Sequence, residues 1–171
     1  CDKHNLRQPV LDQFRKVDTM RMFYYKSPHG NVGDDLNALL WPRVFGPQFF
    51  DDQSDKIFLG IGSIFYDWPE ITEAHKSIIF GAGLRSKRKA PTNLERFDIK
   101  FVRGPLSKSV LKTSDVKYIS DPAILSPLHI EPEPAFKRYS LGYVPYFKTP
   151  EKLSSAVASE IGARIISPTL S

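Results

Sequence analysis

The chain has 171 residues, enough for one domain with a substantial core and short for two. Its 41% apolar and 25% charged residues are those of a globular protein, and no apolar run approaches the ~20 residues that a membrane-spanning helix requires. The net charge of +5 is dispersed except for one cluster, 85–89 (RSKRK), where the absence of interleaved aromatics argues for a solvated loop rather than a nucleic-acid contact.

Residues 1–19 carry scattered charges and few apolar groups, and we expect a leader or loosely docked extension ahead of a domain at 20–171. The single cysteine, Cys1, provides no internal disulfide and fits a reducing compartment. A strand is predicted at 21–25. Leu36, Leu39, Leu40 and Val44 then recur at helical spacing over 34–45, with Pro42 expected to kink or end that helix early. Further strands are predicted at 56–60, 77–80, 99–103 and 116–119. After Arg103, Gly104 supplies a turn and Pro105 suits the first position of a helix. The stretches 84–98 and 126–136 read as loops. A strand at 138–147, a helix at 149–162 with Thr149 as its cap, and a last strand at 163–168 complete the chain.

Strands that are apolar on both faces and alternate with helices argue for an α/β fold: a Rossmann-like, mostly parallel sheet with helices on both faces. In such sheets ligands bind at the carboxyl ends of the strands. Four polar or glycine-rich features fall there: Gly30 to Asp35, Gly60 to Ser63, Gly81 to Gly83, and Arg103 with Gly104. Glycine permits close approach of backbone to a ligand, although each of these glycines could equally serve a tight turn.

The segment Gly60-Ile61-Gly62-Ser63 lacks the third glycine of a dinucleotide fingerprint, since residue 65 is Phe. No Walker-type Gly-Lys-Ser/Thr and no Gly-x-Ser-x-Gly elbow occurs. His29 and His75 have no partners at metal-ligand spacing, so no metal is expected.

A helix N-terminus attracts anions, but two aspartates there would repel a phosphate. The corner "GNVGDD" therefore suits neutral hydroxyls, or a base that takes a hydroxyl's proton. Asp34 reads as the helix cap, which leaves Asp35 freer to face a ligand. Arg103 presents a planar fork of donors suited to a carboxylate or phosphate, or alternatively a salt bridge to Asp121.

Six segments in this order, GNVGDDLN, IFLGIGSIF, IIFGAGL, FVRGPLSKSVL, SDPAIL and LGYVPYF, resemble the polysaccharide pyruvyl transferase family, of the exopolysaccharide, succinoglycan type. The resemblance runs from about Met20 to the last residue and implies the N-terminal half of such an enzyme, one half of a GT-B-like pair of Rossmann-like domains. It implies transfer of pyruvate from phosphoenolpyruvate onto two hydroxyls of a glycan sugar as a ketal, with phosphoenolpyruvate as donor substrate and no other cofactor. By that resemblance Asp34 or Asp35 would be the catalytic base, Arg103 an anion clamp, and Asn31, Gly33, Gly60, Gly62, Ser63, Gly81 and Gly83 would line the substrate cleft. The implied partners are a glycan or lipid-linked oligosaccharide acceptor and a C-terminal domain or second copy. No nucleic acid is implied, and membrane contact would be peripheral at most, in the cytoplasm or at the inner face of the membrane. This half alone would be inactive, and it shows no general acid. Where many relatives have Pro-His, this chain has Pro145-Tyr146, a departure that removes an imidazole. The alternative from the residues alone is a non-catalytic glycan- or nucleotide-binding Rossmann-like module.

Overall fold

The computed structural model describes residues 18–86, 90–112, 114–131 and 139–169. Cys1, nearly all of the predicted leader and residues 87–89 of the basic cluster lie outside them. The main sheet contains β1 (Arg21–Phe23), β2 (Lys56–Leu59), β3 (Lys76–Phe80) and β4 (Phe97–Phe101). All neighbours are parallel and the order in space follows the order in the chain. The sheet is therefore wound in one direction, with no switch point among the described strands. The expected fifth strand at 116–119 reduces to a single parallel bridge, Val102 to Tyr118. Lys117 and Ile119 are exposed there, so no alternation of buried side chains holds a longer pairing.

Helices cover both faces, as the two-sided apolar strands require. On one face α1 (Val32–Phe45) buries Leu40 and Trp41 against Phe58, with Met20 and Ile61 beside them. The other face holds Ile57, Leu59 and Ile79 against Phe65, Ile71 of α2 (Pro69–Glu73) and Leu111 of α3 (Pro105–Leu111). The period-2 alternation of β2 places Phe58 opposite its neighbours and so decides which cluster each residue joins. The helix α1 does not stop at Pro42 but runs through it to Phe45. Trp41 and Phe45 pack on Phe58 and Phe80, with ring centroids 5.1 to 5.7 Å apart. This aromatic packing holds the last turn despite the missing N–H.

A short helix, α4 (Ser126–His129), lies in the stretch read as a loop. The chain then forms a second unit with its own two-stranded parallel sheet: β5 (Gly142–Tyr143), α5 (Glu151–Glu160) and β6 (Arg164–Ile165). The long strand expected at 138–147 thus contracts to two described residues in a separate sheet. The predicted Thr149 cap is displaced as well. Pro150 occupies the N-cap of α5, without a side-chain capping bond. No helix among the described residues is long and apolar enough to cross a membrane.

One buried side chain joins α1 to the main sheet. Asn37 is fully buried, and its Oδ1 accepts hydrogen bonds from the Ile61 amide and from Trp41 Nε1, both at 2.8 Å. Its Nδ2 donates to the carbonyls of Ile61 at 3.0 Å and Asp34 at 2.8 Å. Truncation by Asn37→Ala would strand the Ile61 and Trp41 N–H groups in the core. We expect a loss of about 2–4 kcal/mol, since each orphaned buried donor costs ~1–3 kcal/mol. Urea denaturation of the two proteins measures it, and an unchanged midpoint would disprove the clamp.

Candidate functional site

The carboxyl ends of β2 to β4 meet through hydrogen bonds between their loops. The Gly83 amide donates to the Gly62 carbonyl at 2.9 Å, Phe65 N–H to Gly83 O at 3.1 Å, and Arg103 N–H to Ala82 O at 3.4 Å. This knitting brings Gly62, Ser63, Gly83 and Arg103 together beside the first turn of α1. Residues from four separate sequence segments thereby share one polar edge.

Asn31, not Asp34, caps α1. Its Oδ1 accepts from the Gly33 amide at 3.2 Å, and its own amide donates to Asp35 Oδ2 at 2.9 Å. The expected division of labour between the aspartates is therefore reversed. Asp35 closes a reciprocal capping arrangement, because a carboxylate one turn into the helix reaches back to the cap amide. Asp34 is left facing Gly62, and Asn31 Nδ2 donates to its Oδ2 at 2.7 Å. Burial pushes the Asp34 carboxyl above its ordinary value and the neighbouring Asp35 adds to this, while the Asn31 bond and the nearby Arg85 guanidinium pull the other way. A carboxylate held in reach of solvent with a raised pKa has the character of a general base.

Two of the amides at the α1 N-terminus are already engaged. The Val32 amide donates to Pro168 O at 3.0 Å and the Gly33 amide to Asn31, so these first-turn donors are occupied.

The predicted glycines separate into two kinds. A Cβ at Gly60 would drive into the Trp41 indole, and one at Gly81 into Pro122, so packing by itself requires a glycine at both. Gly62 has φ +118° and a Cβ there would lie 3.0 Å from Asp34 Oδ1. At Gly83 a Cβ would sit 2.8 Å from Arg103 Nε. These two clear space for charged side chains. Gly33, exposed in the first helical turn, meets only ordinary contact at 3.6 Å and its place needs no glycine.

Arg103 lies on Gly83 with Nη2 donating to Ser63 Oγ at 3.0 Å and Nη1 3.5 Å from Asp121 Oδ2. The expected salt bridge to Asp121 is present and partly exposed, so it orients the fork without burying it. Arg85, the first residue of the basic cluster, was missed as a site residue. It stands near both Asp34 and the Tyr66 hydroxyl. Nothing in the spacing of RSKRK distinguishes Arg85 from its neighbours; only the path of the chain after Gly83 brings this exposed side chain near Asp34. Tyr66 stacks on Trp68 at 4.4 Å, which in turn faces Tyr25 at 6.3 Å, giving the edge an aromatic border. A concavity of about 530 Å³, lined by His75, Lys76 and Arg96 among others, opens at the amino ends of β3 and β4, away from this edge. Among the described residues no group of three His, Cys, Asp or Glu side chains could hold a metal ion.

The fold and edge define a class: a parallel α/β scaffold that presents a carboxylate and two guanidinium groups at the carboxyl ends of its strands. Over 153 residues the chain is 29% identical to the succinoglycan biosynthesis protein ExoV of Rhizobium meliloti (strain 1021), a match that covers 87% of this chain and 47% of that protein. The similarity bears out the resemblance drawn from the six segments. The chain spans about half the length of this relative. No protein-family model matches the chain, and no solved structure matches it significantly.

The reversed roles of the aspartates make a stability prediction. A carboxyl with a raised folded pKa contributes stability at low pH that is lost as pH rises through that value. Asp34→Asn removes this loss, so the variant should melt at or above the wild-type temperature at pH 7, with the advantage shrinking below about pH 4. Asp35→Ala should cost about 1 kcal/mol through the lost cap partner. Melting curves from pH 3 to 8 test both; a destabilised Asp34→Asn at neutral pH would show that its charge is needed for folding.

Proposed function

We propose that this chain is the N-terminal portion of a polysaccharide pyruvyl transferase. In this reading it supplies one wall of a cleft where pyruvate moves from phosphoenolpyruvate to two hydroxyls of a glycan sugar. The observation that carries the proposal is Asp34, a carboxylate with raised pKa facing the cleared space at Gly62, with Arg85 near it and Arg103 on the adjoining loop. The relative's role in succinoglycan biosynthesis supports the choice of an exopolysaccharide acceptor.

The chemistry needs a base, an acid and anion-binding cations. Protonation of the methylene carbon of phosphoenolpyruvate leaves C2 electrophilic. A sugar hydroxyl adds there as its proton passes to Asp34. Phosphate departs with its bonding electron pair, and a second hydroxyl adds to C2 and closes the ketal as its proton passes to the departing phosphate. Arg103 holds the donor's carboxylate or phosphate, a task its planar fork suits. Asp35 supports the corner by capping it, and the general acid comes from outside the described residues. Membrane contact, if the acceptor is lipid-linked, is peripheral.

In the complete gene product, Asp34→Asn should lower acceptor-dependent phosphate release by ~10²–10⁴, the usual worth of general-base assistance. Asp35→Asn should retain turnover within a few-fold, because Asn keeps the acceptor that the Asn31 amide needs. Full turnover in Asp34→Asn would end the base assignment. A product that binds the glycan without ever consuming phosphoenolpyruvate would favour a non-catalytic glycan-binding module.

A further inference from the structure

Beside the carboxylate corner lies a concavity that the proposed reaction does not use. It measures about 230 Å³ and opens at the carboxyl ends of β5 and β6. Tyr146 and Phe147 form one side, Glu151, Ser154 and Ser155 in the first turns of α5 another, and the segment through Ser167 and Pro168 the third. Pro168 joins this concavity to the corner, because its carbonyl accepts the Val32 amide at 3.0 Å. The cavity and the first turn of α1 thus share a wall.

The lining selects among ligands. An anion would meet the Glu151 carboxylate at the helix end that otherwise attracts negative charge. An apolar ligand would desolvate a set of hydroxyls. Ser154 is 4% exposed, and its Oγ has no hydrogen-bond partner among the described residues. Buried hydroxyls are ordinarily paired, so this one marks a place where a donor or acceptor is wanted. Tyr146, by contrast, is 62% exposed and meets Phe147 at 63° and 4.7 Å, which leaves ring surface open. Aromatic surface beside hydroxyls and one carboxylate suits a neutral polyhydroxylated ring, whose C–H face packs on the aromatic while its hydroxyls bond around the rim. The volume lies below the ~300–1,000 Å³ typical of drug-sized ligand sites and is matched to a single sugar ring.

We infer that this cavity is a subsite for the acceptor sugar next to the one that receives pyruvate, with Tyr146 as its platform and Glu151 as its hydroxyl acceptor. The inference rests on the reading of the chain as a glycan-modifying protein. It gives a task to the tyrosine of the Pro145-Tyr146 pair, which the proposed reaction leaves without one.

The test compares two acceptors in the complete gene product: oligosaccharides released from succinoglycan by partial hydrolysis, and the methyl glycoside of the sugar that is modified. Binding is read by saturation-transfer NMR and calorimetry, with melting curves as the check on folding. Tyr146→Ala and Glu151→Gln, both at exposed side chains, should each weaken oligosaccharide binding about tenfold and leave the methyl glycoside unaffected. Unchanged oligosaccharide affinity in both variants, an equal loss for the two acceptors, or no binding by the wild type would overturn the subsite. Oligosaccharide binding that depends on Tyr146 and Glu151, in a protein that releases no phosphate from phosphoenolpyruvate, would instead retain the subsite and reject the proposed reaction.

Discussion

The four hydrogen bonds of Asn37 hold the architecture of the polar edge. Its amide joins the second turn of α1 to the first residues after β2, and both partners bear groups of the site. Asp34 lies on the helix side of this clamp and Gly62 on the strand side. Their close approach is thus a consequence of where Asn37 places the helix start. The clamp also receives the Trp41 N–H, so the indole that requires Gly60 is oriented by the same side chain. A buried amide is costly unless every polar atom is met, and here both ends of the side chain are met twice.

From that anchor the site follows by backbone contact. The Gly62 loop accepts the Gly83 amide, the Gly83 loop accepts the Phe65 amide, and Arg103 lies flat over Gly83. Three loops bonded to one another form a floor that can hold charged side chains without collapsing onto them. Arg103 shows the balance. Asp121 and Ser63 steer the guanidinium, yet the ion pair at 3.5 Å is partly exposed and leaves donors for a ligand. Asp34 shows the complementary case, a carboxylate that partial burial makes more basic than a free one.

The second parallel pair, β5 and β6 with α5 as their crossover, repeats the construction of the main sheet on a smaller scale. Its carboxyl edge again gathers polar side chains, and the bond from Val32 to Pro168 sets that edge against the first one. In the proposed reading, two such edges meeting at one helix terminus would suit a ligand longer than one ring. Exposed apolar residues on this unit, among them Val144, Leu153 and Ile166, distinguish it from the well-covered main sheet.

Apolar runs bounded by glycine located the four main strands to within a few residues, because a strand buried on both faces must be apolar almost throughout. Helical periodicity located α1, start and stop residues located α5, and the carboxyl-edge rule pointed to Asp34, Gly62, Gly83 and Arg103 as neighbours. Local sequence could not say which aspartate is a cap, since Asn31, Asp34 and Asp35 all have capping side chains and only the fold orients each carboxylate. Nor could it separate Gly60 and Gly81, excluded by Trp41 and Pro122, from Gly62 and Gly83, which face Asp34 and Arg103. Those neighbours lie 19 to 41 positions away in the chain. Asn37 and Arg85 were silent for the same reason: an amide within a helix and an arginine within a basic run read as surface. Only long-range packing, which closes the helix onto the strand end and sets the loop after Gly83 beside it, made one the clamp and the other a neighbour of Asp34.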